Sequence, residues 1–202
     1  MQLIAITGGI GAGKSLIVRL LHDRGAHVID ADQTARRVVD PSGEQGRQVL
    51  ARIRDLLGAE VISNDGSLDR DVVASRIFDD LDLRLAYNAI IHPAIMQATA
   101  EEIDAYRELA GLVVHEIPLL TADTPPLPWS YDLIITVEAD AAERARRLQS
   151  ERGYSADHAA TRIAAQGSEE RRVAIADVVL RTDGALTDTV QRIDELWQWL
   201  TG

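Results

Sequence analysis

Short apolar runs alternate with helical patterns at the start of the chain. The run MQLIAIT (1–7) leads into GGIGAGKS, and the apolar residues Ile17, Leu20 and Leu21 then share one face of a helix that Gly25 can end. A second apolar run, AHVID (26–30), follows directly. Strand, glycine-rich turn, helix and strand form a βαβ unit, so these two strands are predicted to be parallel.

Further apolar runs predict that the same sheet continues in the second half of the chain. An arginine-rich helical pattern covers about 140–165, and a final helix is predicted over 186–200. The proline-rich segment TADTPPLPW (121–129) is typical of a surface loop. The added strands are GLVVHEIPLL (111–120), YDLIITVE (131–138) and DVVLRT (177–182). Together the five strands predict an α/β fold, a doubly wound parallel sheet flanked by helices.

The stretch between 34 and about 111 is helical in pattern and contains no obvious strand, which indicates a helical insertion into the α/β domain. His92-Pro93 is predicted to divide two helices, because proline lacks an N–H and disfavours a helical conformation of the residue before it. The predicted helices are 49–57 (ended by Gly58), one that follows Asp69, 83–91 and 94–106.

Composition limits the classes of protein that fit this pattern. A chain of 202 residues that is 46% hydrophobic can bury one core and supports one domain. A net charge of −11, with basic residues scattered among acids, argues against a nucleic-acid partner. Without a signal-like N-terminus or a run of roughly 18 apolar residues, we expect a cytoplasmic protein that does not contact a membrane. No pattern indicates an oligomeric state.

The segment Gly8–Ser15 fits the phosphate-binding pattern G-x-x-x-x-G-K-[ST]. Its glycines let backbone N–H groups face a phosphate at the positive end of the following helix. Lys14 supplies a mobile charge for the β- and γ-phosphates of ATP, and the Ser15 hydroxyl is a ligand for Mg²⁺. The alternative is a glycine-rich turn that matches by chance, but the flanking strand and helix favour a P-loop NTPase.

Lys14 is the single lysine of the chain, against 20 arginines. The sequence otherwise meets its need for positive charge with guanidinium groups. An ammonium is a compact charge on a flexible stem, and a guanidinium is a planar fork, so the two are not interchangeable. The placement of the one lysine in the motif indicates that arginine would not serve there.

Asp30 and Asp32 follow the second predicted strand, at the edge of the sheet where open α/β folds bind ligands. A carboxylate there can accept the proton of an attacking hydroxyl or help to hold Mg²⁺. The alternative for Asp32 is that it caps a helix beginning near Gln33. The spacing alone does not separate these two interpretations.

Other polar residues have a structural and a functional interpretation. Most of the arginines between 144 and 172 lie among acids, and we interpret them as a solvated helical face. Taken alone, His92 is more typical of a structural hydrogen bond to the backbone than of a substrate contact.

An ordered set of landmarks resembles the dephospho-coenzyme A kinase family across nearly the whole chain. They are LIAITGGIGAGKS (3–15), VIDADQTAR (28–36), LDR (68–70), IIHP (90–93), IPLL (117–120), ARRLQSERG (145–153), RIAAQ (162–166) and RRVAIADVVL (171–180). The resemblance implies ATP-dependent phosphorylation of the ribose 3′-hydroxyl of dephospho-coenzyme A. It also implies a core of about 1–32, 111–138 and 168–202, a helical substrate region of about 33–110, and a lid of about 139–167.

The resemblance also assigns roles to individual residues. Asp32 would be the base that receives the hydroxyl proton, and Arg147 in the lid would steady phosphate charge, with Arg144 or Arg171 as weaker candidates. The region 68–93, including His92 and Pro93, would help to hold the acceptor. The ATP-binding residues would be Gly11, Ala12, Gly13, Lys14, Ser15 and Leu16.

Two positions depart from the family pattern. Glu116 stands where the family often has Asp, which keeps a carboxylate but lengthens its reach by one methylene. Thr182 stands where the family tends to have Asn, so a contact to adenine would come from a hydroxyl and not from an amide. The alternatives to the implied activity are another P-loop nucleoside, nucleotide or metabolite kinase, or a nucleotide-dependent regulatory binding module.

Overall fold

The protein, described here by a computed structural model of residues 1–202, contains one five-stranded sheet. The strands are β1 (Gln2–Gly8), β2 (His27–Asp30), β3 (Leu112–Glu116), β4 (Leu133–Glu138) and β5 (Val178–Arg181). All pairings are parallel, and the strand order is β2-β3-β1-β4-β5. The predicted five-stranded parallel sheet is therefore confirmed.

Strand β1 lies at the centre of this order, between β3 and β4. The chain first builds the sheet on one side of β1 and then, after β3, crosses to the other side. The loop that follows β1 therefore lies where the strand order reverses, at the carboxyl edge of the sheet. Ligands of open α/β sheets bind at such a position.

The helices account for most of the remaining chain. They are α1 (Lys14–Asp23), α2 (Ala31–Arg37), α3 (Glu44–Leu57), α4 (Arg70–Ile77), α5 (Leu81–Tyr106), α6 (Ala141–Arg152), α7 (Ala156–Ala164), α8 (Glu169–Val173) and α9 (Leu186–Thr201). A short 3₁₀ turn, Ala59–Val61, follows α3. None of the helices is both long enough and apolar enough to cross a membrane.

Alternate residues of the strands pack against helices on opposite faces of the sheet. Ile4 and Ile6 of β1 belong to a buried cluster with residues of α1 and α9. Leu3 faces a second cluster that includes Ile103 and Tyr106 at the end of α5. Because both faces are covered, the strands consist of nearly continuous apolar runs, as parallel strands usually do.

The chain divides into two compact units, 1–30 with 103–202, and 31–102. The second unit is helical and has its own buried cluster, to which α3, α4 and α5 contribute. Gly58 ends α3 with a φ of 94°, a left-handed conformation that suits glycine. Asp69 caps α4 by accepting hydrogen bonds from the backbone N–H groups of Asp71 and Val72.

The predicted division at His92-Pro93 is wrong, because α5 is a single helix of 26 residues with Pro93 inside it. A proline there removes the hydrogen bond from its own nitrogen to the carbonyl of Ala89, which disfavours an uninterrupted helix. The burial of apolar side chains around Pro93 offsets the loss of this hydrogen bond. Ile91, Ala94 and Ala98 lie on both sides of the proline and pack into the same apolar cluster, so tertiary packing keeps the two halves in one helix.

Candidate phosphate-binding site

The loop between β1 and α1 has the backbone that a phosphate loop requires. Gly11 and Gly13 have φ values of 77° and 86°, and Gly13 immediately precedes α1. Space is also limited: a Cβ on Gly11 would lie 2.8 Å from the carbonyl oxygen of Arg144, and one on Gly8 would lie 2.3 Å from that of Val137. Glycine is therefore required here for conformation and for close packing.

Side chains from the second half of the chain hold the outer edge of this loop. Arg144 Nε donates to the carbonyl of Ile10 at 2.9 Å, Arg147 Nη1 to that of Gly11 at 3.4 Å, and Thr182 Oγ1 to that of Ala12 at 2.7 Å. In a trans peptide the N–H points opposite to the carbonyl. The N–H groups of Gly11 and Gly13 therefore point away from these donors, as binding of a phosphate requires.

Gln166 makes a further contact to the loop, because its side-chain oxygen accepts a hydrogen bond from the N–H of Ile10 at 2.5 Å. This residue lies just after α7, at the end of the landmark RIAAQ. The sequence interpretation assigned no role to Gln166. The interaction joins positions 156 residues apart, and neither local spacing nor composition reveals such a contact.

Lys14 begins α1 and forms an ion pair with Glu116, the last residue of β3. The two side chains are only 13% and 14% exposed, so solvent screens the pair incompletely. Asp30 lies beside Glu116 in the register of β2 with β3. The loop lysine thus lies next to carboxylates at the carboxyl edge of the sheet.

The residues around the loop fit a magnesium ion that is bound together with a nucleotide. Mg²⁺ prefers oxygen ligands and usually keeps several waters and substrate phosphates in its shell. The Ser15 hydroxyl is exposed in the first turn of α1, and Asp30 and Glu116 supply carboxylates at neighbouring strand ends. The protein has no group of three or more His, Cys, Asp or Glu side chains that could hold a metal alone.

Two arginines of the predicted solvated face are buried, so that interpretation is wrong for Arg144 and Arg172. Arg172 donates to both carboxylate oxygens of the fully buried Glu138, at 2.6 and 2.8 Å. These bonds raise the pKa of Arg172, and burial lowers the pKa of Arg144. Arg171 is exposed and pairs with Asp123, which fits the solvated face, and its weaker candidacy for a phosphate contact stays a prediction.

Arg147 lies on α6 and donates hydrogen bonds to both the side chain and the backbone of Thr182. Its Nη1 donates to Thr182 Oγ1 at 3.0 Å and its Nη2 to the Thr182 carbonyl at 2.5 Å, while Glu143 accepts from its Nε at 2.8 Å. Thr182 is buried, and its hydroxyl is engaged by Arg147 and by Ala12. This hydroxyl therefore braces the phosphate loop. A contact from Arg147 to a phosphate stays a prediction.

The two predicted aspartates lie in different units. Asp30 is the last residue of β2, and Asp32 is an exposed residue in the first turn of α2. The helix begins at Ala31 and not near Gln33, so Asp32 is inside the helix and the capping alternative is wrong. Its role as a base stays a prediction.

His92 and Pro93 are both exposed on α5. An exposed position does not favour the structural interpretation of His92, and it leaves the imidazole accessible to a ligand. Contact with the acceptor stays a prediction for both residues.

A polar cluster that the sequence pattern does not reveal surrounds the buried His115 of β3, next to Glu116. Trp129 Nε1 donates to the hydroxyl of Tyr131 at 2.7 Å, and this hydroxyl is hydrogen-bonded to Nδ1 of His115 at 2.8 Å. Burial lowers the pKa of His115 to about 4, although Asp30 opposes the shift. His115 is thus neutral near pH 7.

The parallel sheet and the phosphate loop place the chain among the P-loop NTPases. A shikimate kinase from Acinetobacter baumannii shares the fold, with a TM-score of 0.54 over 100% of this chain and 95% of the other, at 13% identity. The family profile described as "Dephospho-CoA kinase" matches residues 2–188. The chain belongs to the dephospho-CoA kinase family.

Two named dephospho-CoA kinases agree with this assignment over 93% or more of their lengths, and one solved structure shares the fold. A dephospho-CoA kinase of Leifsonia xyli subsp. xyli is 42% identical over 204 residues and covers 100% of both chains. One from Streptomyces avermitilis is 39% identical and covers 98% of this chain and 93% of its own. The crystal structure of TT1252 from Thermus thermophilus has a TM-score of 0.79 at 32% identity, over 100% of this chain and 98% of the other.

Proposed function

We propose that this protein transfers the γ-phosphoryl group of ATP to the ribose 3′-hydroxyl of dephospho-CoA and so forms coenzyme A, the last step of its biosynthesis. The observation that carries the proposal is an intact phosphate loop, with Lys14 at its end, in a chain that matches the dephospho-CoA kinase family over residues 2–188. The expected cytoplasmic location accords with a biosynthetic role of this kind.

In this proposal the loop binds ATP by its backbone and its helix. The N–H groups of the loop and the positive end of α1 receive the β-phosphate. Lys14 exchanges part of its interaction with Glu116 for the β- and γ-phosphates. Ser15 would hold Mg²⁺, which would neutralise charge on the phosphate oxygens. The proposed ATP-binding residues are Gly11, Ala12, Gly13, Lys14, Ser15 and Leu16.

The acceptor is proposed to bind through the helical unit 31–102. Asp32 accepts the proton of the attacking hydroxyl, or orients that hydroxyl, and its exposed position on α2 leaves the carboxylate accessible. His92 and Pro93 contact the acceptor from α5. Asp30 is the next candidate for the proton acceptor if Asp32 is not required.

Arg147 is proposed to act from the lid, 139–167. Its guanidinium already reaches the carbonyl of Gly11 in the phosphate loop. A change of the side-chain rotamer would exchange the Thr182 contacts for phosphate oxygens, which bind a guanidinium more strongly. Arg147 would then stabilise charge that develops during phosphoryl transfer.

An acceptor panel tests the proposed activity. With Mg-ATP, we expect kcat/KM for dephospho-CoA to exceed that for AMP or adenosine by orders of magnitude, as measured by a coupled ADP assay. Equal values for AMP and dephospho-CoA would favour the alternative of a different P-loop nucleotide kinase. ATP consumption that is independent of any acceptor would favour a nucleotide-dependent regulatory module.

A further inference from the structure

The helical unit 31–102 contains a cavity of about 440 Å³ whose charged lining is mostly arginine. Three guanidinium groups and one carboxylate line it, which gives a local charge of +2 in a chain whose net charge is −11. The polar and charged lining residues are Gln33, Arg36, Arg37, Asp40, Ser67 and Arg70. Such a concentration of positive charge favours an anionic ligand.

The charged groups of this arginine pocket are not equally available to a ligand. Arg37 forms an ion pair with Glu102, which offsets its charge. Arg70 uses one Nη2 hydrogen bond, to the carbonyl of Ala35 at 3.2 Å. A guanidinium has five N–H donors, so Arg70 keeps several for a ligand.

The one carboxylate of the lining is held by the backbone. Asp40 accepts a hydrogen bond from the N–H of Ser42 at 2.8 Å. This bond lowers the pKa of Asp40, which is therefore ionised at neutral pH. Asp40 is thus held by the backbone of its own turn, and the exposed Arg36 and Arg70 are the cationic groups of the lining that a ligand can reach.

We propose that the arginine pocket binds the diphosphate group of the acceptor, with Arg36 and Arg70 as its main ligands. This inference rests on the proposed function, because dephospho-CoA carries a diphosphate on the 5′ position of the ribose whose 3′-hydroxyl reacts. The planar guanidinium fork matches phosphate oxygens and binds them by two parallel hydrogen bonds.

The spacing on α2 supports this assignment. Asp32 and Arg36 are four residues apart and share one helix face, with about 5–6 Å between their Cβ atoms. The 3′-hydroxyl and the 5′-phosphate of one ribose are likewise separated by only a few covalent bonds. One turn of α2 can therefore present the proposed base to the hydroxyl and a guanidinium to the diphosphate of the same nucleotide.

A structural role makes a different prediction. Arginines in the last turn of α2 interact favourably with the negative end of the helix, and Arg70 satisfies one of its carbonyls. If stabilisation of α2 were the whole role of these residues, their replacement would lower the melting temperature without weakening the binding of a diphosphate in particular.

The test compares Arg36→Gln with the control Arg54→Gln, an exposed arginine of the same unit that pairs with Asp55 and does not line the pocket. We expect Arg36→Gln to raise KM for dephospho-CoA roughly tenfold to a hundredfold, the effect of one lost charge-assisted hydrogen bond. KM for ATP, kcat and the melting temperature should stay close to the parent, and Arg36→Lys should recover part of the loss. Arg54→Gln should change none of these values.

Inorganic pyrophosphate serves as the second probe, with ATP at saturation so that the phosphate loop is occupied. Pyrophosphate should compete with dephospho-CoA in the parent, and Arg36→Gln should raise its inhibition constant by a factor similar to the rise in KM. An unchanged KM, or a raised KM with an unchanged inhibition constant, would overturn the pocket assignment. A parent that does not phosphorylate dephospho-CoA would overturn the proposed function itself, so the two failures are distinguishable.

Discussion

The ion pair with Glu116 holds the Lys14 ammonium in place beside the phosphate loop, and phosphate oxygens can replace Glu116 as its partner. The pair is mostly shielded from water, and it lies at the end of β3 next to the loop. A carboxylate partner holds the ammonium in place while no phosphate is bound. When phosphates arrive, the ammonium has a second set of anionic oxygens within reach of its flexible stem.

Replacement of Lys14 should affect turnover far more than folding. Lys14→Ala removes a charge that interacts more strongly with the transferring phosphoryl group than with ground-state ATP, so kcat should fall by orders of magnitude. Lys14→Arg should recover little, because a planar guanidinium does not replace a compact ammonium beside Gly13. Steady-state kinetics with circular dichroism as a folding control measure both effects. Near-parental activity of Lys14→Arg would show that positive charge alone is sufficient.

Asp32→Asn separates a chemical role from a structural one. If Asp32 positions or deprotonates the hydroxyl, kcat should fall roughly 10²- to 10⁴-fold with ATP affinity nearly unchanged, and the lower end is expected because the proton leaves late in a loose transition state. If Asp32 only interacts with the start of α2, the cost should be about 0.3–1 kcal/mol of stability with normal kcat. Kinetics and an ATP titration on one preparation distinguish these results; normal kcat would direct attention to Asp30.

The buried His115 should make the free energy of unfolding depend on pH. Its folded pKa, about 4, lies below its ordinary value of 6.5 because of burial. Below pH 6.5 the unfolded chain binds a proton that the folded chain does not, so the free energy of unfolding decreases as pH falls from 6.5 towards 4. Between pH 7 and pH 5 the residue should account for a loss of about 2 kcal/mol.

The control for this pH effect is His115→Gln, which has no titrating side chain at that position. Urea unfolding of both proteins at pH 7 and pH 5 isolates the contribution of His115 from that of the carboxylates. The variant should lose less stability than the parent over this interval. Equal losses in the two proteins would mean that His115 titrates normally in the folded state.

At the level of secondary structure, elements with a local signal could be predicted. The five apolar runs and the glycine-rich motif are continuous in sequence, and the strands and α1 form at these places. The N-terminus of α4 was signalled by Asp69, whose side chain accepts two backbone hydrogen bonds. The continuous α5 could not be predicted, because burial on both sides of Pro93 depends on neighbours that are distant in sequence.

The cap of α4 gives a prediction at this scale. Asp69→Ala should lower the free energy of unfolding by about 1 kcal/mol, because the N–H groups of Asp71 and Val72 lose their acceptor. Asp69→Asn keeps an acceptor and should cost only a few tenths of that value. Chemical denaturation measures both variants. An equal cost for Ala and Asn would show that the charge of Asp69, and not its capping bond, stabilises the helix.

At the level of the whole molecule, the sequence identified the residue types of the site but not their pairing. The motif predicted where Lys14 would lie, but the contacts of Glu116 with Lys14, Glu138 with Arg172, and Thr182 with Ala12 join distant segments. Strand order creates these contacts, and no local spacing encodes them. Arg144 and Arg172, for which the sequence pattern predicted a solvated face, are buried for the same reason.

The buried pairing of Glu138 with Arg172 joins the end of β4 to α8. Glu138 ends β4, and its carboxylate also accepts a hydrogen bond from Thr136 at 2.7 Å. Removal of one partner from such a pair leaves an uncompensated buried charge. The neighbouring Arg144 donates a hydrogen bond to the loop carbonyl of Ile10. It interacts electrostatically with both members of the Glu138–Arg172 pair, so this buried pair is part of the surroundings of the loop.

The most direct test of the central claim is to locate the transferred phosphate. The protein should be incubated with Mg-ATP and dephospho-CoA, and the product analysed by ³¹P NMR and mass spectrometry. We expect one coenzyme A for each ADP formed, with the new phosphate on the ribose 3′-oxygen. Phosphate at another position, or ADP formed without a phosphorylated acceptor, would contradict the account.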